Sequence, residues 1–232
     1  MNMMKTRAGL VHLLTASGLV PIVLAMQAMW HGDIYATLLW LGVAALIDGL
    51  DGPLARRFEV RKHLPQIDGA ILDHIIDYLS YCFIPALMLV HFELLPAAWA
   101  VPVASLICMA SLYSFANTDA KTAENDFRGF PALWNLAVFY MVILQATPLS
   151  NLFAVLVLSA LTYAPIRVVH PVRVEALRWL TLPLCLLWLG LIFAYLIRAE
   201  AGLPLALDWV FAALSLYLLG LSAWRSYIWR GQ

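Results

Sequence analysis

Apolar stretches of membrane-crossing length alternate along the chain with short polar segments. The pattern predicts eight helical spans, at 9–30, 34–57, 69–91, 95–118, 131–148, 150–168, 177–198 and 206–228. Each is near the roughly 20 residues that a bilayer requires. The fifth and sixth are parted only by the short run around Pro148, Ser150 and Asn151. Basic residues fall on alternate connections. Lys5 and Arg7 precede the first span, and Arg56, Arg57, Arg61 and Lys62 follow the second. Lys121 and Arg128 follow the fourth, Arg167, Arg173 and Arg178 surround the sixth connection, and Arg225 and Arg230 end the chain. The opposite connections carry only Arg198. Positively charged loops stay in the cytoplasm, so both termini are expected there. The expected fold is an all-α, polytopic membrane protein of about eight helices. No Gly/Ser linker, low-complexity tract or repeat divides it, which makes 1–232 a single transmembrane domain.

Composition sharpens this reading. The chain is 63% hydrophobic and only 12% charged, about half the charged fraction of a soluble domain. Its net charge of +0 offers no basic footprint for nucleic acid. Cys82, Cys108 and Cys185 stand singly in apolar stretches and read as small buried hydrophobes. Pro21 and Gln27 interrupt the first apolar run without a small-x-small cleavage site, so it reads as a retained span.

Against that apolar background the acids stand out. Asp48 and Asp51 lie near the end of the second span, and Asp73 and Asp77 early in the third. Their i,i+3 and i,i+4 spacings place each pair on one helix face, so adjacent antiparallel helices can aim four carboxylates into one space. A charge deep in a membrane helix costs about 2.5–3.5 kcal/mol, less near the interface, and clustered anions also repel. A divalent ion such as Mg²⁺ or Mn²⁺ would offset both costs with oxygen ligands alone. Solvated interfacial acids, or partners for Arg56 and Arg57, would explain one pair but not two matched pairs on consecutive helices. Gly52, Ala55 and Gly69 extend the same faces and leave room for a ligand, although small residues also serve helix packing. Arg56 stands beside this face and could hold a phosphate. Metals clamped by carboxylates can steady a diphosphate, and a carboxylate can take a proton from an alcohol. The chemistry points to phosphoryl transfer at a membrane surface.

These residues resemble the signature of the CDP-alcohol phosphotransferases, DxxDGxxAR…GxxxDxxxD. Here it reads Asp48-Gly-Leu-Asp51-Gly52-Pro-Leu-Ala55-Arg56, then Gly69-Ala-Ile-Leu-Asp73-His-Ile-Ile-Asp77. The segment between Arg56 and Gly69 holds twelve residues, where the family usually has eight. That spacing, the span count and the stretch Tyr113–Lys121 are similar to the bacterial phosphatidylcholine-synthase branch of the family. The resemblance implies transfer of a phosphatidyl group from CDP-diacylglycerol to choline, giving phosphatidylcholine and CMP. It implies Asp48, Asp51, Asp73 and Asp77 as ligands for two Mn²⁺ or Mg²⁺ ions, with Asp77 also the catalytic base. Gly52, Ala55, Arg56 and Gly69 would meet the CDP moiety. His12 and Thr15 occupy a first-helix stretch where the family often has Asn and Thr near the cytidine. A homodimer in the bacterial inner membrane, its site facing the cytoplasm, is implied likewise.

Choline's quaternary nitrogen has no hydrogen to donate, so aromatic faces and nearby acids would hold it. Tyr81, Tyr113, Phe115, Phe130 and Trp134 are candidate faces, with Asn117, Asp119, Glu124 and Asn135 as polar contacts. Interfacial Trp and Tyr are common without any ligand. Asp119, Glu124 and Asp126 read as loop acids pairing with Lys121 or Arg128, and His31, His91 and His170 as solvated residues at span ends. Other acceptors (serine, inositol or glycerol phosphate) remain open. A cation transporter using the intramembrane acids is the alternative of another class, but no paired repeat is visible.

Overall fold

The structure is a computed structural model and describes residues 3–117, 119, 126–168, 178–198 and 205–230. It is all-α in architecture: α1 (Met3–Ser17), α2 (Leu19–Trp30), α3 (Ile34–Arg57), α4 (Val60–His63), α5 (Gly69–Asp77), α6 (Ile84–His91), α7 (Ala97–Ala116), α8 (Trp134–Ile143), α9 (Pro148–Leu161), α10 (Arg178–Ile197) and α11 (Leu205–Arg230). A π-helical turn, Tyr78–Phe83, joins α5 to α6. Among the described residues six helical stretches are long and apolar enough to cross a membrane, at Met3–Trp30, Ile34–Arg57, Gly69–His91, Ala97–Ala116, Trp179–Ile197 and Leu207–Tyr227. The chain is a multi-pass membrane protein.

The two segments predicted as spans 131–148 and 150–168 are shorter helices. α8 has 10 residues and α9 has 14, so at 1.5 Å per residue they reach roughly 15 and 21 Å. Gln145, at φ 49°, turns the chain immediately after α8, and α9 gives way to turns after Leu161.

The residues group into two compact units, Met1–Cys108 with Leu133–Asn151, and Met109–Ala132 with Leu152–Gln232. Polar punctuation sets the elements of the first. Asp33 caps α3 by accepting from the Ala36 N–H at 2.8 Å, and Asp68 caps α5 by accepting from Ala70 at 3.0 Å. The first span is broken at Gly18 because Pro21 has no N–H to offer the Ser17 carbonyl. At the break, a Cβ on Gly18 would lie 3.0 Å from Ile76 Cγ2, so glycine there allows the first span to approach α5 closely. Ala8, Val11 and Val60 form a small core with Leu54, Ala55, Phe58 and Leu64, fastening α1 and α4 to the end of α3.

In the second unit two short strands, β1 (Phe127–Arg128) and β2 (Arg167–Val168), pair antiparallel. Ser226 of α11 accepts from the Arg167 N–H at 2.8 Å and donates to the Arg167 carbonyl at 2.7 Å. Asp126, expected as a loop acid beside Lys121 or Arg128, meets two cations distant in sequence. It is 1% exposed and takes two hydrogen bonds from Arg225, at 2.8 and 3.2 Å, with Arg167 at 3.9 Å. A buried carboxylate needs a fixed cation, and Arg225 offers two N–H groups to one oxygen. Lys121, Glu124, His170 and Arg173 lie outside the described residues. Cys82 and Cys185 are buried, as expected, and Cys108 is half-buried.

Candidate active site

α3 and α5 carry the acids, and their local structure explains how these meet. The Asp68 cap starts α5 at Gly69, so Asp73 and Asp77 occupy its next two turns on one face. α3 runs unbroken past Asp48 and Asp51 to Arg57, with Pro53 inside it. Pro53 offers no N–H to the Gly49 carbonyl, one residue beyond Asp48.

Carboxylate oxygens of Asp48, Asp73 and Asp77 lie within 4.8 Å of one another, and all three side chains are half-buried. Two unit charges about 4 Å apart repel by about 4 kcal/mol at an effective dielectric near 20. Three such pairs call for a cation, and an all-oxygen donor set suits a hard divalent ion. The donor set therefore fits Mg²⁺ or Mn²⁺. Among the described residues neither Arg56 nor Arg57 pairs with these acids. Arg56 is exposed, and the Arg57 guanidinium stands 5.9 Å over the Phe58 ring.

Asp51, the fourth predicted ligand, is not one of that trio. It is 5% exposed, and the Thr15 hydroxyl lies beside it. Thr15 is buried and also donates to the Val11 carbonyl at 3.3 Å. One turn earlier His12 is 8% exposed, and its Nε2 has no hydrogen-bond partner among the described residues. A Cβ built on Gly69 would stand 3.0 Å from His12 Cε1 and 3.5 Å from Nδ1. Gly69 thus makes room for the imidazole one turn before Asp73. The predicted first-helix pair and the predicted glycine converge beside the acids, while Gly52 and Ala55 are half-buried on the Asp48–Asp51 helix.

The residues expected around choline have varied surroundings. Tyr81 is half-buried and donates its hydroxyl to Asp48 Oδ2 at 2.7 Å. Trp134 is 1% exposed, and Asn135 accepts from the Leu136 N–H at 2.8 Å. In the second unit Tyr113 is half-exposed and meets the Tyr163 ring at 4.8 Å between centroids. There Asn117 accepts from the Asp119 N–H at 3.0 Å, and Asp119 is exposed.

The π turn that carries Tyr81 was not foreseen, although Pro85 signals it. Pro85 cannot donate to the Tyr81 carbonyl, and its ring crowds that oxygen, so the preceding turn widens. Tyr78 steadies the turn by donating to the Cys108 carbonyl at 3.2 Å.

Comparison with known proteins adds what geometry alone does not. The phosphatidylcholine synthase of Pseudomonas aeruginosa is 41% identical over 96% of this chain and 93% of its own length. That of Bradyrhizobium diazoefficiens is 41% identical over 88% of this chain and 78% of its own. The Borreliella burgdorferi phosphatidylcholine synthase is 38% identical over 82% of each. Residues 9–228 match the CDP-alcohol phosphatidyltransferase family throughout. With its carboxylate trio on two signature helices and this match over nearly its whole length, the chain belongs to the CDP-alcohol phosphatidyltransferase family.

Proposed function

We propose that this protein is a phosphatidylcholine synthase, transferring the phosphatidyl group of CDP-diacylglycerol to choline and releasing CMP. The observation that carries the reading is the trio Asp48, Asp73 and Asp77 in a chain whose relatives bear that name across most of its length. The match runs through both compact units, which supports taking 1–232 as one catalytic domain. The segregation of the loop charges supports a site that faces the cytoplasm, in a bacterial inner membrane. There a lipid donor's head and a water-soluble alcohol can meet. A homodimer is part of this reading.

The trio, with Asp51 beside it, would hold Mn²⁺ or Mg²⁺, two ions to a site. Bound metal supplies positive charge to the diphosphate oxygens of the donor. Asp77 removes the proton from the choline hydroxyl as that oxygen attacks the phosphorus carrying the diacylglycerol. The bond from this phosphorus to the CMP oxygen breaks, and CMP departs with the electron pair. Gly52, Ala55 and Arg56 contact the CDP moiety, Arg56 through its guanidinium. His12 offers its unpartnered Nε2, and Thr15 its hydroxyl, toward the nucleotide. Tyr81 and the acids around it give a cation a ring face in an anionic setting. Trp134 and Asn135 of the first unit, and separately Tyr113, Asn117 and Asp119 of the second, are the other candidates for choline.

Gly69→Ala tests the nucleotide side. Its methyl group forces the His12 ring aside, so the KM for CDP-diacylglycerol should rise about fivefold with kcat little changed. An unaltered donor KM would remove His12 from the nucleotide site. The acceptor is decided by labelled CDP-diacylglycerol offered with choline, serine, inositol and glycerol phosphate in turn. Labelled phosphatidylcholine from choline alone is expected; preferential product from another alcohol would make the protein a different member of its family.

A further inference from the structure

Tyr81 lies outside the family signature, yet it makes a direct side-chain contact with one of the three clustered acids. Its hydroxyl donates to Asp48 Oδ2 at 2.7 Å across 33 residues of sequence. Hydrogen bonds from a hydroxyl to a carboxylate fall at about 2.5–2.7 Å, so this one is short and charge-assisted. It is also held from its own side. Tyr81 stands in the π turn Tyr78–Phe83, which follows Asp77 directly. Tyr78 anchors that turn through the Cys108 carbonyl, and the Ser80 hydroxyl reaches back to the Asp77 carbonyl at 3.4 Å. The wider turn carries Tyr81 around the helix axis from the position that four regular α-helical residues after Asp77 would give it. The distortion thus delivers a hydroxyl to the opposite helix at the level of the acids.

We infer that Tyr81 is a positioning residue for the metal centre: its hydroxyl fixes the rotamer of Asp48 and occupies one side of Oδ2, leaving the remaining lone pairs for the ion. This rests on the proposed metal-holding role of the trio. A freely rotating Asp48 beside two like-charged carboxylates would turn away from them, and the hydroxyl opposes that rotation. Partners of this kind orient ligating carboxylates, and their loss weakens metal binding by about 10–100-fold. The hydroxyl's task is separate from any use of the Tyr81 ring as a face for choline.

The test is Mn²⁺ binding to purified, substrate-free protein in detergent, read as the loss of the free-Mn²⁺ EPR signal. Wild type, Tyr81→Phe, Asp48→Asn and the double variant are compared. Tyr81→Phe keeps the ring and loses only the hydroxyl, and its thermal midpoint without metal checks that it is folded. Its Mn²⁺ dissociation constant should rise about tenfold. In the Asp48→Asn background the same change should cost less than about twofold, because the carboxylate it acts through is gone. Wild-type affinity in Tyr81→Phe, or an equal loss in both backgrounds, overturns the inference while the metal site stands. Failure of the wild type to bind Mn²⁺ removes both.

Discussion

Replacing Asp77 by Asn should lower turnover about a thousandfold, with the protein still folded and still binding CDP-diacylglycerol. General-base catalysis contributes roughly 10²–10⁴-fold, and Asp77 is both the proposed base and one of three carboxylates within 4.8 Å. Asparagine has the same shape, so the packing of α5 is kept. Removing one negative charge from the trio also relieves repulsion, so metal-free stability should not fall. With Mn²⁺ held saturating, to offset the metal ligand that is also lost, the loss should appear in kcat, with the donor KM little changed. CMP release and the thermal midpoint, measured on the same preparation, separate the two effects. Turnover within tenfold of wild type would remove Asp77 as the base.

The acids were legible in the sequence because charged residues at helical spacing conflict with an apolar background, and because the signature fixes their order. The spans were legible for a related reason: hydrophobic length is what a bilayer selects. Three features were not. The π turn depends on how the chain accommodates Pro85, and its consequence, the Tyr81–Asp48 bond, joins residues on different helices. Asp126 is buried against Arg225, 99 residues away, a partner that its neighbours in sequence do not foretell. Strands of two residues are too short to leave an alternating pattern. Asp51 shares a face with Asp48, yet it lies among buried groups with Thr15 beside it and is not one of the clustered three.

The second large effect is on stability, at Gly129. Its φ of +79° lies in the left-handed region, and a Cβ there would collide with the Thr162 carbonyl oxygen and stand 2.9 Å from its carbon. Those are backbone atoms, so no side chain can yield. The surrounding bonds are also fixed: Gly129 N–H donates to Ile166 at 2.9 Å, and Phe130 N–H to Leu161 at 2.9 Å. Left-handed backbone costs a substituted residue about 1–2 kcal/mol, and overpacking adds about 1–3 kcal/mol. Gly129→Ala should thus destabilise by about 3 kcal/mol or more and lower the thermal midpoint in detergent. Gly190, inside α10, is the contrast. A Cβ there meets nothing within 4 Å, so Gly190→Ala should be neutral or stabilise by up to about 1 kcal/mol. Equal midpoints for the two variants would contradict the turn geometry.

We propose that the trio Asp48, Asp73 and Asp77 forms a metal-dependent centre for transferring phosphatidyl to choline. It is tested most directly by CMP release from CDP-diacylglycerol with the purified protein, varying choline and Mn²⁺ independently. Release that requires both, with phosphatidylcholine formed in equal amount, is the predicted result. CMP released at the same rate without choline, or undiminished after chelation of divalent ions, would contradict it.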